Sequence, residues 1–387
     1  MRLALPPFPT LLAGFVAVLV GYASSAAIIW QAAEAAGANA QQISGWMTAL
    51  GLAMGLSTLL LTLWRKVPIL TAWSTPGAAL LVGGLQGTTL NDAVGIFIFA
   101  NALIVLCGLT GWFARLMRLI PHSLAAAMLA GILLRFGLQA FSTLEEQLLL
   151  CASMLLGWLL FKAFAPRYAV VAALVVGTIV AVLKGDVVTH SLRMSVVIPQ
   201  FIAPHFSVTQ LLSVGVPFFL VTMASQNAPG LATLQASGYQ VPISSLIVIS
   251  GAFGLLLAPF GVYSVCIAAI TAAICQSPEA HPDPQKRWLA SVTAGIFYLI
   301  AGVFGGSITA LMAALPSVWI QMLAGLALLG TLGGSLFQSL QSPHERDAAL
   351  VTFLVTASGI TLAGIGSAFW GLVIGGISFM LLSWRTT

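Results

Sequence analysis

The chain has 387 residues, of which 59% are hydrophobic and 6% charged, against roughly 25% charged in an ordinary soluble domain. At roughly 20 residues per spanning helix there is length for about fourteen membrane crossings and their connections, which excludes a cytosolic enzyme, a nucleic-acid-binding protein and a receptor with an extramembrane head. The net charge of +5 comes from fourteen Lys and Arg residues spread along the whole chain, a distribution that reads as membrane topology and not as an acidic partner.

The N-terminal decapeptide has one arginine and then a long apolar run without a small-residue cleavage pattern, so the first helix is expected to be retained. Apolar runs bounded by Pro, Gly and the rare charges predict segments at 10–33, 42–63, 67–84, 91–113, 121–139, 146–163, 168–183, 207–228, 241–257, 259–276, 287–310, 317–339, 347–363 and 366–384. The longest polar connection, 184–206, separates two halves of seven segments each. With a cytoplasmic N-terminus, eleven of the fourteen basic residues fall on the inner side: Arg2, Arg65, Lys66, Arg115, Arg118, Lys162, Arg167, Lys286, Arg287, Arg346 and Arg385. This is the bias cytoplasmic loops show, and both termini are expected to be cytoplasmic. An odd number of spans per half returns the second half upside down. The stretch from Pro121 to Gly131 recurs loosely from Pro316 to Gly325, each copy preceded by Gly-Ile-Phe at 95–97 and 295–297; chance recurrence of Met-Leu-Ala-Gly is the alternative. The expected fold is an all-α polytopic membrane protein of fourteen transmembrane segments in two inverted repeats of seven.

In transporters built this way, short spans interrupted by Gly or Pro at matching positions point to the substrate site. The third and tenth spans qualify. In the third, Ser74 or Thr75 as N-cap and Pro76 at the first helical position, followed by Gly77, mark a helix start in mid-membrane. In the tenth, Ser264 is positioned to cap a half-helix after an extended Gly261-Val262-Tyr263. A helix N-terminus presents unpaired N–H groups and about half a positive charge, so two such ends facing one another favour an anion. Polar residues gather in two further spans: Tyr22, Ser24 and Ser25 in the first, Met223, Ser225, Gln226 and Asn227 in the eighth, where 223, 226 and 227 share a helical face. Lining a site and packing between helices are both open for them. All nine acids lie in loops or at span ends, so a carboxylate relay at mid-membrane is not expected, and Glu34, Glu279 and His281 are the remaining candidates for proton coupling. Arg135 either snorkels or attracts an anion. The four cysteines, Cys107, Cys151, Cys266 and Cys275, sit in apolar runs without ligand spacing, so neither a metal nor a cofactor is expected.

The stretches TAWSTPGAALL (71–81), IPHSLAAAMLAGILLRFGLQAF (120–141), TMASQNAPG (222–230), PFGVYSV (259–265) and AAITAAICQSPEAHPD (268–283) resemble the benzoate:proton symporter (BenE) family over essentially the whole chain. The resemblance implies the fold of the uracil and nucleobase-ascorbate transporters and of the sulfate and bicarbonate exchangers. Residues 1–120 and 207–315 would form a core domain, and 121–206 and 316–387 a gate domain through which two copies pair as a homodimer. It also implies short strands beside the half-helices, near 69–73 and 261–264. The implied function is secondary transport of a small aromatic carboxylate such as benzoate across the bacterial inner membrane by proton symport, with core moving against gate and the ring against Tyr22, Met223 and Tyr263. Where the uracil transporter carries substrate-binding glutamates, this chain has Ser225-Gln226-Asn227 and Tyr263-Ser264-Val265. That departure disfavours a nucleobase and suits a carboxylate. The expected partners are thus the carboxylate, protons and membrane lipid. The residues themselves leave open another organic anion or a nucleobase as cargo and, from other classes, a passive channel or a membrane-embedded enzyme.

Overall fold

Pro7 precedes α1 (Phe8–Ala35), whose 28 residues extend about 40 Å at 1.5 Å per residue, more than a bilayer's hydrocarbon core. The computed structural model describes residues 7–112, 121–188, 196–278, 280–362 and 365–383; Arg2, Arg115, Arg118, Arg193, Glu279 and Arg385 of the sequence reading lie outside them. Asn39 starts α2 (Ala40–Arg65) with a reciprocal cap, accepting from the Gln42 N–H while its own N–H donates to Gln42 Oε1, both at 2.9 Å, which satisfies two otherwise orphaned donors. At the far end the Arg65 guanidinium lies 3.7 Å from the Trp64 ring centroid and Lys66 Nζ 4.2 Å from that of Trp288, the cation-and-aromatic pairing of a membrane interface.

The chain continues as β1 (Thr71–Ala72), α3 (Thr75–Gly84), α4 (Leu90–Thr110), α5 (His122–Glu146), α6 (Leu148–Phe164) and α7 (Ala169–Lys184). The second half opens with α8 (Val208–Gln235), a helix containing π-turns at Leu211–Gly215 and Met223–Asn227. There follow α9 (Ile243–Leu257), β2 (Cys266–Ile267), α10 (Ile270–Gln276), α11 (Trp288–Val303), α12 (Gly305–Ala314), α13 (Ser317–Leu340), α14 (Arg346–Ser358), the hairpin of β3 (Thr361–Leu362) and β4 (Ile365–Gly366), and α15 (Ser367–Ser383). Among the described residues seven helices are long and apolar enough to cross a membrane, and α11 with α12, bent by 66°, makes an eighth. The apolar helices α6, α7 and α15 have 17, 16 and 17 residues. The predicted thirteenth segment, 347–363, is cut short because Gly359 turns left-handed (φ 68°) and ends α14, a conformation glycine adopts without a Cβ clash.

Packing sorts the helices. α2 lies against α11, α4 against α9, and α1 against α3 and α11, while α5 packs on α13 and α14, α14 on α15, and α6 on α7. α1 bridges the two groups through α7 and α13. The two loosely repeated stretches, starting at Pro121 and Pro316, both place proline at a helix N-cap, and the helices they start pack on each other. Residues 201–206 lie across the start of α4. The His205 N–H donates to the Asn91 carbonyl (2.9 Å), Asn91 Nδ2 to the Ala203 carbonyl (2.7 Å), and His205 Nδ1 pairs with Asp92 Oδ1 (2.6 Å).

Candidate functional site

β1 and β2 pair antiparallel, Thr71 opposite Ile267 and Ala72 opposite Cys266. Each strand leads within three residues into a half-length helix, α3 or α10. Because the strands are antiparallel, the two helices leave the ladder in opposite directions with both positive ends turned back toward it. The second strand falls at 266–267 and not near 261–264. The reason lies upstream, where Gly261, at φ 92°, closes a short turn over Ala258–Phe260 and the next residues are committed elsewhere. The Tyr263 hydroxyl donates to the Ser74 carbonyl (3.3 Å), and Ser264 Oγ accepts from the Ser74 N–H (3.0 Å). Ser264 therefore does not cap α10; it fixes the residue that caps α3.

The two helix ends differ. Ser74 is the N-cap of α3, its Oγ accepting from the Gly77 N–H at 3.0 Å, and Pro76 has no N–H to satisfy. A Cβ on Gly77 would lie 2.6 Å from the Phe218 ring, so no side chain fits there. Thr75 faces α1, its Oγ1 2.6 Å from Ser25 Oγ, which in turn lies 3.3 Å from Ser24 Oγ. At α10 the N-cap position is Ala269, which supplies no side-chain acceptor. Among the described residues nothing accepts from the first-turn N–H groups of Ile270, Thr271 and Ala272.

α8 supplies the third wall. Its second π-turn, an irregularity frequent at functional sites, carries four of the candidates in three settings. Asn227 is buried, accepting from the Ile267 N–H (3.0 Å) and donating toward Met223 Sδ (3.4 Å), so it holds β2 in place. Met223 is fully buried. Ser225 opens instead on a cavity of about 200 Å³ with His122, Leu129 and Gln338, and Gln226 is half-buried with no hydrogen bond among the described residues. Three residues on, a Cβ on Gly230 would stand 2.2 Å from the Ile267 carbonyl oxygen, so glycine alone permits this approach of helix to strand.

Tyr22 packs edge-on against Trp73 (centroids 4.8 Å, 73°), and its buried hydroxyl has no hydrogen-bond partner among the described residues. Tyr263 is fully buried between Phe97 and Phe218, at 6.2 Å from each. Glu34 is exposed at the end of α1, and His281 lies in the turn after α10, its Nδ1 accepting from the Asp283 N–H at 3.0 Å; neither reaches the ladder. Among the described residues no three His, Cys, Asp or Glu side chains gather as a metal site. Three elements escaped the sequence reading. Asn101 donates to the Tyr263 carbonyl at 2.9 Å, Gln276 donates to the Pro68 carbonyl at 3.2 Å, and Ser57 and Thr58 converge on Thr71 Oγ1 at 2.7 and 2.8 Å. An amide inside an apolar span such as 91–113 is a signal in itself.

Helix ends held on a two-stranded ladder within a helical membrane bundle define a membrane transporter fold. Solved structures share it: murine Solute Carrier 26 family member A9, an anion transporter in the inward-facing state (TM-score 0.62, 14% identity, 100% of this chain and 69% of that one), and the transmembrane domain of the cyanobacterial bicarbonate transporter BicA (TM-score 0.60, 15% identity, 95% and 97%). At those identities the likeness is one of fold. The uracil and nucleobase-ascorbate fold implied by the sequence resemblance is not supported by these neighbours, an anion transporter and a bicarbonate transporter. Residues 5–381 match the family model for the benzoate membrane transport protein, BenE, and the chain belongs to that family. Its relatives include the inner membrane protein YdcO of Escherichia coli (strain K12), 69% identical over 383 residues, 99% of this chain and 98% of that one. The benzoate membrane transport protein of Acinetobacter baylyi (strain ATCC 33305 / BD413 / ADP1) is 38% identical over 371 residues, 96% and 94% of the two chains.

Proposed function

We propose that this chain is a secondary transporter that moves a small aromatic carboxylate such as benzoate across the bacterial inner membrane by proton symport. The observation that carries the reading is the pair of half-helix N-termini on the β1–β2 ladder, one of them uncapped, with no acidic side chain beside them among the described residues. In this reading the carboxylate meets the α10 N–H groups and the Thr75 and Ser25 hydroxyls within the field of both helix ends, and the ring lies toward Tyr22 and Met223. Membership of the benzoate family and 38% identity to a named benzoate transporter support the substrate class.

The proposal includes fourteen segments in two inverted repeats, a core of residues 1–120 and 207–315, a gate of 121–206 and 316–387 that also makes a homodimer, and cytoplasmic termini. Alternating access follows from the core moving against the gate. Bringing an anion into an inside-negative cell costs about 2.3 kcal/mol per charge per 100 mV, and one accompanying proton makes the step electroneutral. Glu34, Glu279 and His281 stay the carrier candidates, each acting at a membrane face.

Uptake of radiolabelled benzoate into proteoliposomes, with and without an inward proton gradient, tests the reading. Saturable uptake that the gradient accelerates is expected. Sealed vesicles with correctly folded protein and no saturable uptake would sink the benzoate assignment, and voltage-driven flux indifferent to the proton gradient would replace a symporter by a channel or uniporter.

A further inference from the structure

A cavity of about 330 Å³ opens between α3, the start of α8, α5 and the α14–α15 junction, on the face that carries the 201–206 strap and away from the ladder. Among the described residues Arg135 is the only charged one in its wall, and no acid lines it. The guanidinium has neither an ion pair nor a hydrogen bond among the described residues, so its donors are free. Gly359 makes room for it: a Cβ there would lie 2.8 Å from Nη2. Ile132, Phe136 and Val214 supply apolar wall beside Gln86 and Gln139. Arg135 is exposed, and its side chain lines an open cavity between two groups of helices.

We infer that this cavity is a second binding site, an entry subsite in which Arg135 captures the carboxylate of an aromatic acid before it reaches the helix ends. The inference rests on the proposed transport of aromatic carboxylates. The planar fork of arginine matches a carboxylate with two parallel hydrogen bonds, and a lone cation in a low-dielectric mouth concentrates anions. The apolar wall fits the ring. Because the cavity is bounded by α3 and α8 on one side and α5, α14 and α15 on the other, it changes shape whenever those two groups move past each other, which hands the ligand inward.

Arg135→Gln, Arg135→Lys and Gln139→Glu are compared with the wild type in right-side-out membrane vesicles taking up radiolabelled benzoate. The Gln139→Glu variant leaves the arginine in place and sets an acid one helical turn from it to neutralise the charge; positions 135 and 139 are both exposed, so two independent variants test the charge without disturbing the core. Losing one charge-assisted contact lowers uptake efficiency at subsaturating benzoate by about tenfold in Arg135→Gln and Gln139→Glu, and by less in Arg135→Lys. Wild-type uptake weakens as external salt rises, whereas uptake by Arg135→Gln and Gln139→Glu does not, a readout that a merely structural arginine would leave alone. Wild-type efficiency with unaltered salt dependence in the folded variants overturns the subsite while benzoate transport stands; absence of uptake by the wild type overturns both.

Discussion

Asn227→Asp is the most incisive perturbation of the ladder. The side chains are isosteric, so the acceptor that holds the Ile267 N–H at 3.0 Å is retained and only the weak donation to Met223 Sδ is lost. What changes is charge, introduced in a buried position beside Ile267, which lies three residues before the uncapped end of α10. Three residues of extended chain span roughly 10 Å, and at that separation two like charges repel by about 1.5 kcal/mol with an effective dielectric near 20, which is roughly a tenfold loss of affinity. Titration calorimetry of the purified protein with benzoate measures the loss. Wild-type affinity in the variant would show that no anion binds near this ladder.

Further expectations concern the frame of the site. Gly230→Ala sets a methyl against the Ile267 carbonyl at a nominal 2.2 Å, and strain of about 1–3 kcal/mol should lower the melting temperature measured by tryptophan fluorescence. Ser264→Ala leaves the buried Ser74 N–H without its acceptor, which costs about 1–3 kcal/mol and weakens benzoate binding because the α3 cap loses its anchor; unchanged stability and affinity would mean that the cap is held without it. Asp92→Asn removes the charge facing His205, whose side chain is 68% exposed. An exposed pair is worth at most about 1 kcal/mol, so transport should persist while hydrogen exchange of the His205 amide quickens.

The interruption of two spans was legible because its causes are local. Pro68, Pro76 and Gly77 break any continuous helix, and Ser74 with Pro76 two residues on is a helix start that needs no knowledge of the fold. The second break was legible only as a break. Where β2 forms depends on the partners of residues 262 to 268: Ser264 and Tyr263 are drawn to Ser74, the Ala268 N–H donates to the Leu70 carbonyl at 2.9 Å, and Asn227 takes the Ile267 N–H. Each partner lies 40 or more residues away in the chain, beyond the reach of any window of sequence. The polar run 222–230 was visible as a cluster, and helical periodicity already sets Ser225 on the opposite face from Asn227; that Asn227 meets the ladder while Ser225 opens on a separate cavity depends on what packs against each face. Arg135 was visible as a misplaced charge, but only Gly359 across from it reveals the space it occupies.

The bare end of α10 bears on the kinetics of the proposed carrier. Loaded, the protein crosses with those three N–H groups engaged by the anion. Unloaded, it crosses with water in their place or leaves them unpaired, and an orphan on a residue as buried as Ala272 costs about 1–3 kcal/mol. The empty return is then the slow limb of the cycle, so exchange of labelled for unlabelled benzoate should outrun net uptake, and the same missing cap that attracts the substrate would limit how fast the carrier resets.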